Sequence, residues 1–221
     1  ALVFPHASIA CHVRVALKAL PLAATEVFCG MGNPFRMGVL ENGATVIDIG
    51  SGGGMDCLLA ATQVGSNGAV IGIDMTDAML ERSGGAARAT GLVNVRFEKA
   101  DMTRLPLADD SVDVVISNGV INLAPDKGRV FAEIFRSLKP GGRFAIADMV
   151  TVGNVPAKIR RDVEMWAGCV SGAMDREEYL ELVRTAGFQG VTISSAVFYD
   201  AMKGDGWGLQ SITILGHKAL S

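Results

Sequence analysis

The sequence has no surplus of positive charge: 20 Lys and Arg stand against 23 Asp and Glu, for a formal charge of -3. Such a balance cannot neutralise a run of phosphates, so nucleic acid is not an expected partner. No apolar run reaches the roughly 18 residues that a membrane span needs. The longest, around Val112–Ile116 and Phe144–Val150, are cut by Asp113 and Asp148, and no membrane span is expected. The first ten residues, with Pro5 and His6, do not read as a signal peptide. Cysteine is sparse and scattered. Cys11, Cys29, Cys57 and Cys169 form no CxxC pair and have no His at ligand spacing, which argues against a disulfide framework and a structural metal, and suits a reducing cytoplasm. The histidines, His6, His12 and His217, all lie in terminal segments, so no imidazole stands ready as a general base in the body of the chain.

What is present is a folding chain of one domain's length, 221 residues, 49% hydrophobic and 19% charged, with 27 Gly as punctuation between short apolar runs. Thr45–Ile49 is a β-branched run ending in Gly-rich sequence, as a buried parallel strand would be. Apolar residues from Met55 to Val64 fall at helical spacing, stopped by Gly65, and Ala69–Ile73 is the next strand. Thr76 is placed to cap a second helix that runs to Gly91. Further strands are expected at Asn94–Glu98, Val112–Ile116 and Arg143–Met149, with a helix over Asp126–Leu138 whose apolar stripe is Val130, Phe131, Ile134, Phe135 and Leu138. Asp175 and Glu178 open a last helix in a capping-box pattern. Val191–Val197 and Ser211–Gly216, joined by a polar loop over Asp200–Gly208, are expected to pair as an antiparallel hairpin. Alternating strands and helices predict an α/β fold, a mostly parallel seven-stranded sheet covered on both faces.

The sharpest local signal is Asp48-Ile49-Gly50-Ser51-Gly52-Gly53-Gly54-Met55-Asp56, a Gly-rich turn between the first strand and the first helix, where a ligand can approach the backbone closely. Asp74 follows Gly50 by 24 residues, at the end of the second strand, where a carboxylate can accept from both ribose hydroxyls of an adenosine. A dinucleotide fingerprint wants Gly or Ala where Met55 stands, and Asp48 would repel a pyrophosphate while suiting the ammonium of an amino-acid tail. S-adenosylmethionine fits better than NAD.

The blocks VIDIGSGGGMD (46–56), VIGIDMT (70–76), VDVVISNGVINLAPDKG (112–128), LKPGGR (138–143) and WAGCVSGA (166–173) resemble, in order, the arsenite S-adenosylmethionine methyltransferases within the Rossmann-like class I methyltransferases. The resemblance runs from about Gly30 to Phe188. It implies that Asp48, Gly50 and Gly52 hold the methionine portion of the cofactor, Asp74 the ribose, Met75 one adenine face, and Asp101 with Met102 the adenine edge, with Ser51, Gly54 and Asp56 also cofactor-binding. Read by composition, Met75 and Met102 are also ordinary core fillers, and Asp101 also begins a turn. Asn118 would line the cofactor near its sulfonium. One domain is implied over 1–221: an N-terminal helical or lid segment (1–40), a cofactor-binding core (41–150) and an acceptor side with the terminal hairpin (151–221).

The sequence departs from that family at the acceptor. The family holds trivalent arsenic with three cysteines, and the matching positions here are Met31, Gly119 and Cys169. One thiolate does not chelate a soft ion that wants two or three sulfurs. Cys29, two residues from Met31, is a candidate substitute, and Cys57 reads as a small core residue. The expected acceptor site combines Cys29, Met31 and Asn33, Gly119 and its loop, and Trp166 with Cys169; Asp148 is the carboxylate expected nearby as a base. A small-molecule acceptor is implied, arsenite-like or another soft nucleophile. The alternatives are a quinone- or phenol-like acceptor, a non-catalytic cofactor-binding protein, and a nicotinamide oxidoreductase that Met55 and the terminal hairpin argue against.

Overall fold

The computed structural model describes residues 20–154 and 172–220. Its seven strands form one sheet in the order β3-β2-β1-β4-β5-β7-β6. In chain order they are β1 (Thr45–Ile49), β2 (Ala69–Asp74), β3 (Val95–Lys99), β4 (Val112–Asn118), β5 (Leu138–Gly153), β6 (Gln189–Gly204) and β7 (Trp207–His217). The first five are mutually parallel, and β7 runs antiparallel to both neighbours, β5 and β6. The expected parallel sheet with its antiparallel hairpin is what forms. Strand order reverses between β1 and β4, and the carboxyl ends at such a reversal leave a crevice for a ligand.

The described helices are α1 (Leu22–Thr25), α2 (Met55–Val64), α3 (Asp77–Thr90), α4 (Lys127–Ser137) and α5 (Arg176–Thr185). Alternation along β1 divides the core. Ile47 and Ile49 face one layer with Phe131, Ile134 and Tyr179 of α4 and α5, while Val46 faces the other with Cys57, Leu59 and Ala61 of α2. Asp48 lies between the two isoleucines and so points toward α2.

Several local expectations shift. Thr76 occupies the cap position of α3 but makes no side-chain cap bond; Asp74 Oδ1 accepts from the Thr76 amide instead, at 2.9 Å. Asp175 does cap α5, accepting from the amides of Glu177 and Glu178. The loop expected over Asp200–Gly208 contracts, because β6 runs on to Gly204 and β7 begins at Trp207. Only Asp205 and Gly206 turn, a two-residue Asp-Gly connection in which Gly206 takes the positive φ, +73. β5 likewise extends past the expected Met149 to Gly153.

Candidate functional site

At the strand reversal, the chain leaves β1 through Gly50, Ser51 and Gly52 before entering α2. The amides of Gly50 and Ser51 donate to Ile73 O, that of Gly54 to Ser51 O, and that of Gly52 to Asp74 Oδ2 at 3.0 Å. These donors are therefore turned into the fold rather than offered to a ligand. A phosphate-binding loop does the opposite. Gly52 has φ +50, and a Cβ there would meet nothing within 4 Å, so its bare face opens outward. Gly50 and Gly54 serve packing: a Cβ on Gly50 would strike Val120, and one on Gly54 would strike Phe97 and Ser83.

Beside this turn lies a cavity of about 220 Å³, walled by Asp48, Ser51, Asp56, Asn118, Gly119 and Cys29, with apolar cover from Ala24, Val27 and Phe28, and Met55, Val120 and Leu123 beside them. Its volume is below the ~300 Å³ at which pockets for drug-sized ligands begin. It is large enough for one end of a cofactor, and Asp74 and the exposed Met75 lie outside it. Asp48 is 2% exposed and Asp56 5%. Burial, then the neighbouring Asp56 carboxylate, push the Asp48 carboxyl well above the usual range; burial raises Asp56 to about 6. Cys57 Sγ donates to Asp48 Oδ2 at 3.2 Å, and burial with the Asp48 charge keeps it a thiol. Cys57 is thus a core residue, as expected, with a polar contact to the site. No Lys, Arg or His is among the described residues lining the cavity.

The arrangement fits S-adenosylmethionine on a second observation. Ser51 Oγ is buried in the wall with no hydrogen-bond partner, an expensive state that a ligand's polar tail would relieve. Asp48 and Asp56 would face the ammonium and sulfonium, and Asp74, half-buried at the end of β2, the ribose. Met75 is 59% exposed beside Asp74, whereas Met102 is buried in the core. Asp101 is exposed and accepts from the Thr103 amide and hydroxyl, which hold its carboxyl below the usual range.

The acceptor side is knitted by one amide. Asn118 Oδ1 accepts from the amides of Met31 at 2.7 Å and Gly32 at 3.1 Å, and Nδ2 donates to Gly32 O and to Asp56 Oδ2 at 3.0 Å. All four of its hydrogen-bonding positions are used, so Asn118 fixes the 29–33 turn against α2. Asn33 caps the following 3-10 turn, accepting from the Phe35 amide. Gly119, with φ +84, packs against Met31: a Cβ on it would lie 3.3 Å from Met31 Cγ and 3.5 Å from Cys29 O. The two positions that the family fills with cysteines are therefore neighbours in space. Tyr199 Oη donates to Met31 Sδ at 3.3 Å, and Ser211 Oγ donates to Met31 O. Cys29 is exposed at the cavity rim; Trp166 and Cys169 lie outside the described residues.

Asp148 needs correction. It sits within β5 rather than at its end, 1% exposed, and does not line the cavity. Its Oδ2 accepts from Tyr179 Oη at 2.8 Å and its Oδ1 from the Met149 amide at 2.9 Å, and burial raises it to about 6. Its neighbours alternate with it across the pleat, so it faces α4 and α5, away from the 29–33 turn. Val120 and Leu123 of the loop expected at the site do line the cavity, while the sequence reading missed Val27 and Phe28 as walls. Val27 and Phe28 immediately precede Cys29, but α1 is one turn long and shows no periodicity to find them by.

A glycine turn at the reversal of a 3-2-1-4-5-7-6 sheet, with acids at the ends of β1 and β2 and inward-turned amides, defines the class I methyltransferase domain. A methyltransferase domain family model matches residues 40–187. The chain is 44% identical over 165 residues to an arsenite methyltransferase of Halobacterium salinarum, covering 75% of this chain and 42% of that protein. It is 34% identical to the human arsenite methyltransferase, covering 80% of this chain and 49% of that one. The structure of an arsenic(III) S-adenosylmethionine methyltransferase from Chlamydomonas reinhardtii superposes with a TM-score of 0.85 at 33% identity, over 94% of this chain and 74% of that one. The chain belongs to the methyltransferase domain family and, within it, is arsenite methyltransferase-like. It spans less than half the length of these curated relatives.

Proposed function

We propose that this domain performs S-adenosylmethionine-dependent methyl transfer to a small, soft acceptor of the arsenite type. The observation that carries the reading is the cavity itself: two buried carboxylates, an unpartnered Ser51 hydroxyl and no cation among the described residues that line it, with the Cys29 thiol and Gly119, which packs on Met31, in its wall. The bound cofactor supplies an electrophilic methyl group. Asp48 and Asp56 face its cationic end, Ser51 satisfies a polar atom of its tail, and Asp74 anchors its ribose, fixing the methyl relative to the 29–33 turn. Asn118 holds that turn in register with Asp56, so the two reactants meet with orientation already set, where most of the rate gain of a direct displacement arises. A soft acceptor carries its own lone pair and needs no proton removed, which agrees with a cavity that Asp148 does not reach.

Likeness to arsenite methyltransferases supports the acceptor class, while Met31 and Gly119 leave Cys29 as the thiol among the described residues at the cavity. The test is transfer of a labelled methyl group to arsenite, selenite, small thiols and phenols, each at equal concentration. Methylated arsenite or another soft product is the expected result. Methylation of phenols alone would overturn the soft-acceptor reading, and cofactor binding without any transfer would make the domain a binding protein.

A further inference from the structure

Asp48 and Asp56 are more than a negative wall. Both are at least nineteen-twentieths buried, both line one small cavity, and each repels the other, so two full charges are unfavourable while the cavity holds no cation. The groups facing them offer little relief. On α2, Cys57 gives Asp48 a thiol hydrogen bond; on β2, Asp74 adds a third negative charge; on β4, Asn118 gives Asp56 one neutral amide donor; at the rim stands the Cys29 thiol. The nearest helices, α1 and α3, carry Glu26 and Arg82, which pair with each other at 2.9 Å. A buried carboxylate pair with no cation among the described residues lining its cavity resolves its repulsion by taking up one proton between the two groups.

We propose that the Asp48–Asp56 pair is a charge discriminator that distinguishes S-adenosylmethionine from its demethylated product by proton linkage, an inference that rests on the cofactor reading above. Both ligands bring an amino-acid ammonium, but only S-adenosylmethionine adds a sulfonium. The second cation lets the pair release its shared proton to solvent; loss of the sulfonium on methyl transfer lets the pair take a proton back. The product is thereby left facing a site that no longer carries full complementary charge, and leaves more readily. The raised position of both carboxyls, with Asp56 at about 6, places this exchange near neutrality.

The experiment is calorimetric titration of each ligand into the wild-type protein at pH 6 to 8, in two buffers of different ionisation enthalpy. S-adenosylmethionine is expected to release about one proton and S-adenosylhomocysteine clearly less. The preference for the former should shrink as pH falls, by up to about tenfold per pH unit. Asp56→Asn keeps an oxygen to accept from Asn118 and removes the repulsion on Asp48 while leaving its burial, so it should release fewer protons with S-adenosylmethionine and show a weaker pH dependence of the preference. Equal proton release for the two ligands, or enthalpies that do not depend on buffer, would overturn the inference while leaving the cofactor assignment standing. Failure of either ligand to bind the folded wild type would overturn the cofactor reading itself, and this inference with it.

Discussion

Installing thiols at positions 31 and 119 tests the acceptor geometry most directly. In Met31→Cys the new Sγ takes the place of Met31 Cγ, the atom that lies 3.3 Å from where a Cβ on residue 119 would stand. A Cys at 119 would therefore carry its sulfur within reach of the first, close enough for both to bind one soft ion. Neither single change achieves this. Gly119→Cys alone forces an L residue to φ +84 and against Met31, a strain of about 1–3 kcal/mol. Met31→Cys alone loses the Tyr199 contact and about one methylene's worth of half-buried surface, about 1 kcal/mol. In the double variant the strain at φ +84 remains, but a chelate closes, so the second sulfur acts at high effective concentration. The double variant should bind As(III) at least about 100-fold more tightly than either single variant. Calorimetry with a phosphine reductant, normalised to folded protein and checked by mass spectrometry for free thiols, measures it. Affinities that simply multiply, with no coupling, would show that the two positions do not share an ion and would refute the geometry.

Asp74→Ala should weaken S-adenosylmethionine about 10- to 150-fold, the loss of about 1.5–3 kcal/mol of charge-assisted hydrogen bonding at a half-exposed site, and unchanged affinity in a folded variant would remove Asp74 from the ribose. Gly52→Val should abolish cofactor binding while the fold persists with about 2 kcal/mol less stability, since the added side chain points into the open space the ligand needs and φ is +50; circular dichroism with a binding assay separates the two effects. For Asp148, the folded carboxyl near 6 lies above its ordinary 3.8, so the native state binds the extra proton between those values and its stability falls as pH rises through them, by about 3 kcal/mol. Urea unfolding of Asp148→Asn should show that slope reduced by one group's share from pH 4 to 6.5, and an unaltered slope would mean that Asp148 titrates normally.

The fold was readable wherever one rule dominated. Thr45–Ile49 and Met55–Val64 appear where β-branching and helical spacing place them, because both are buried in the sheet and its cover and no competing contact redirects them. Strand ends were read short in β5 and β6: β5 runs on through Val150–Gly153 and β6 through Phe198–Gly204, where β-favouring Val, Thr, Phe and Tyr are interrupted by Gly, Asp and Lys and pairing continues through backbone bonds. The Asp-Gly signal at 205–206 was present and was absorbed into a longer loop. At the site, Asp48, Ser51 and Asp56 sit in the wall expected of the glycine motif. Asp148 was misplaced because proximity to a strand's end says nothing about which face a side chain takes; extending the strand moved it to mid-sheet, toward Tyr179.

The inserted position of β7 has a consequence for the order of assembly. β7 follows every other strand in the chain, yet it fills the gap between β5 and β6, and its Ser211 bonds Met31 O while Thr213 sits against Gly32. The 29–33 turn is thus closed by residues some 180 positions later. During synthesis, β1, β2 and β4 with Asn118 all emerge before β7, whereas the contacts of Ser211 and Thr213 to the 29–33 turn form only once β7 has been made. The last strand to be made is therefore the one that finishes the turn beside the cavity, and pairing across so long a separation is slow to form.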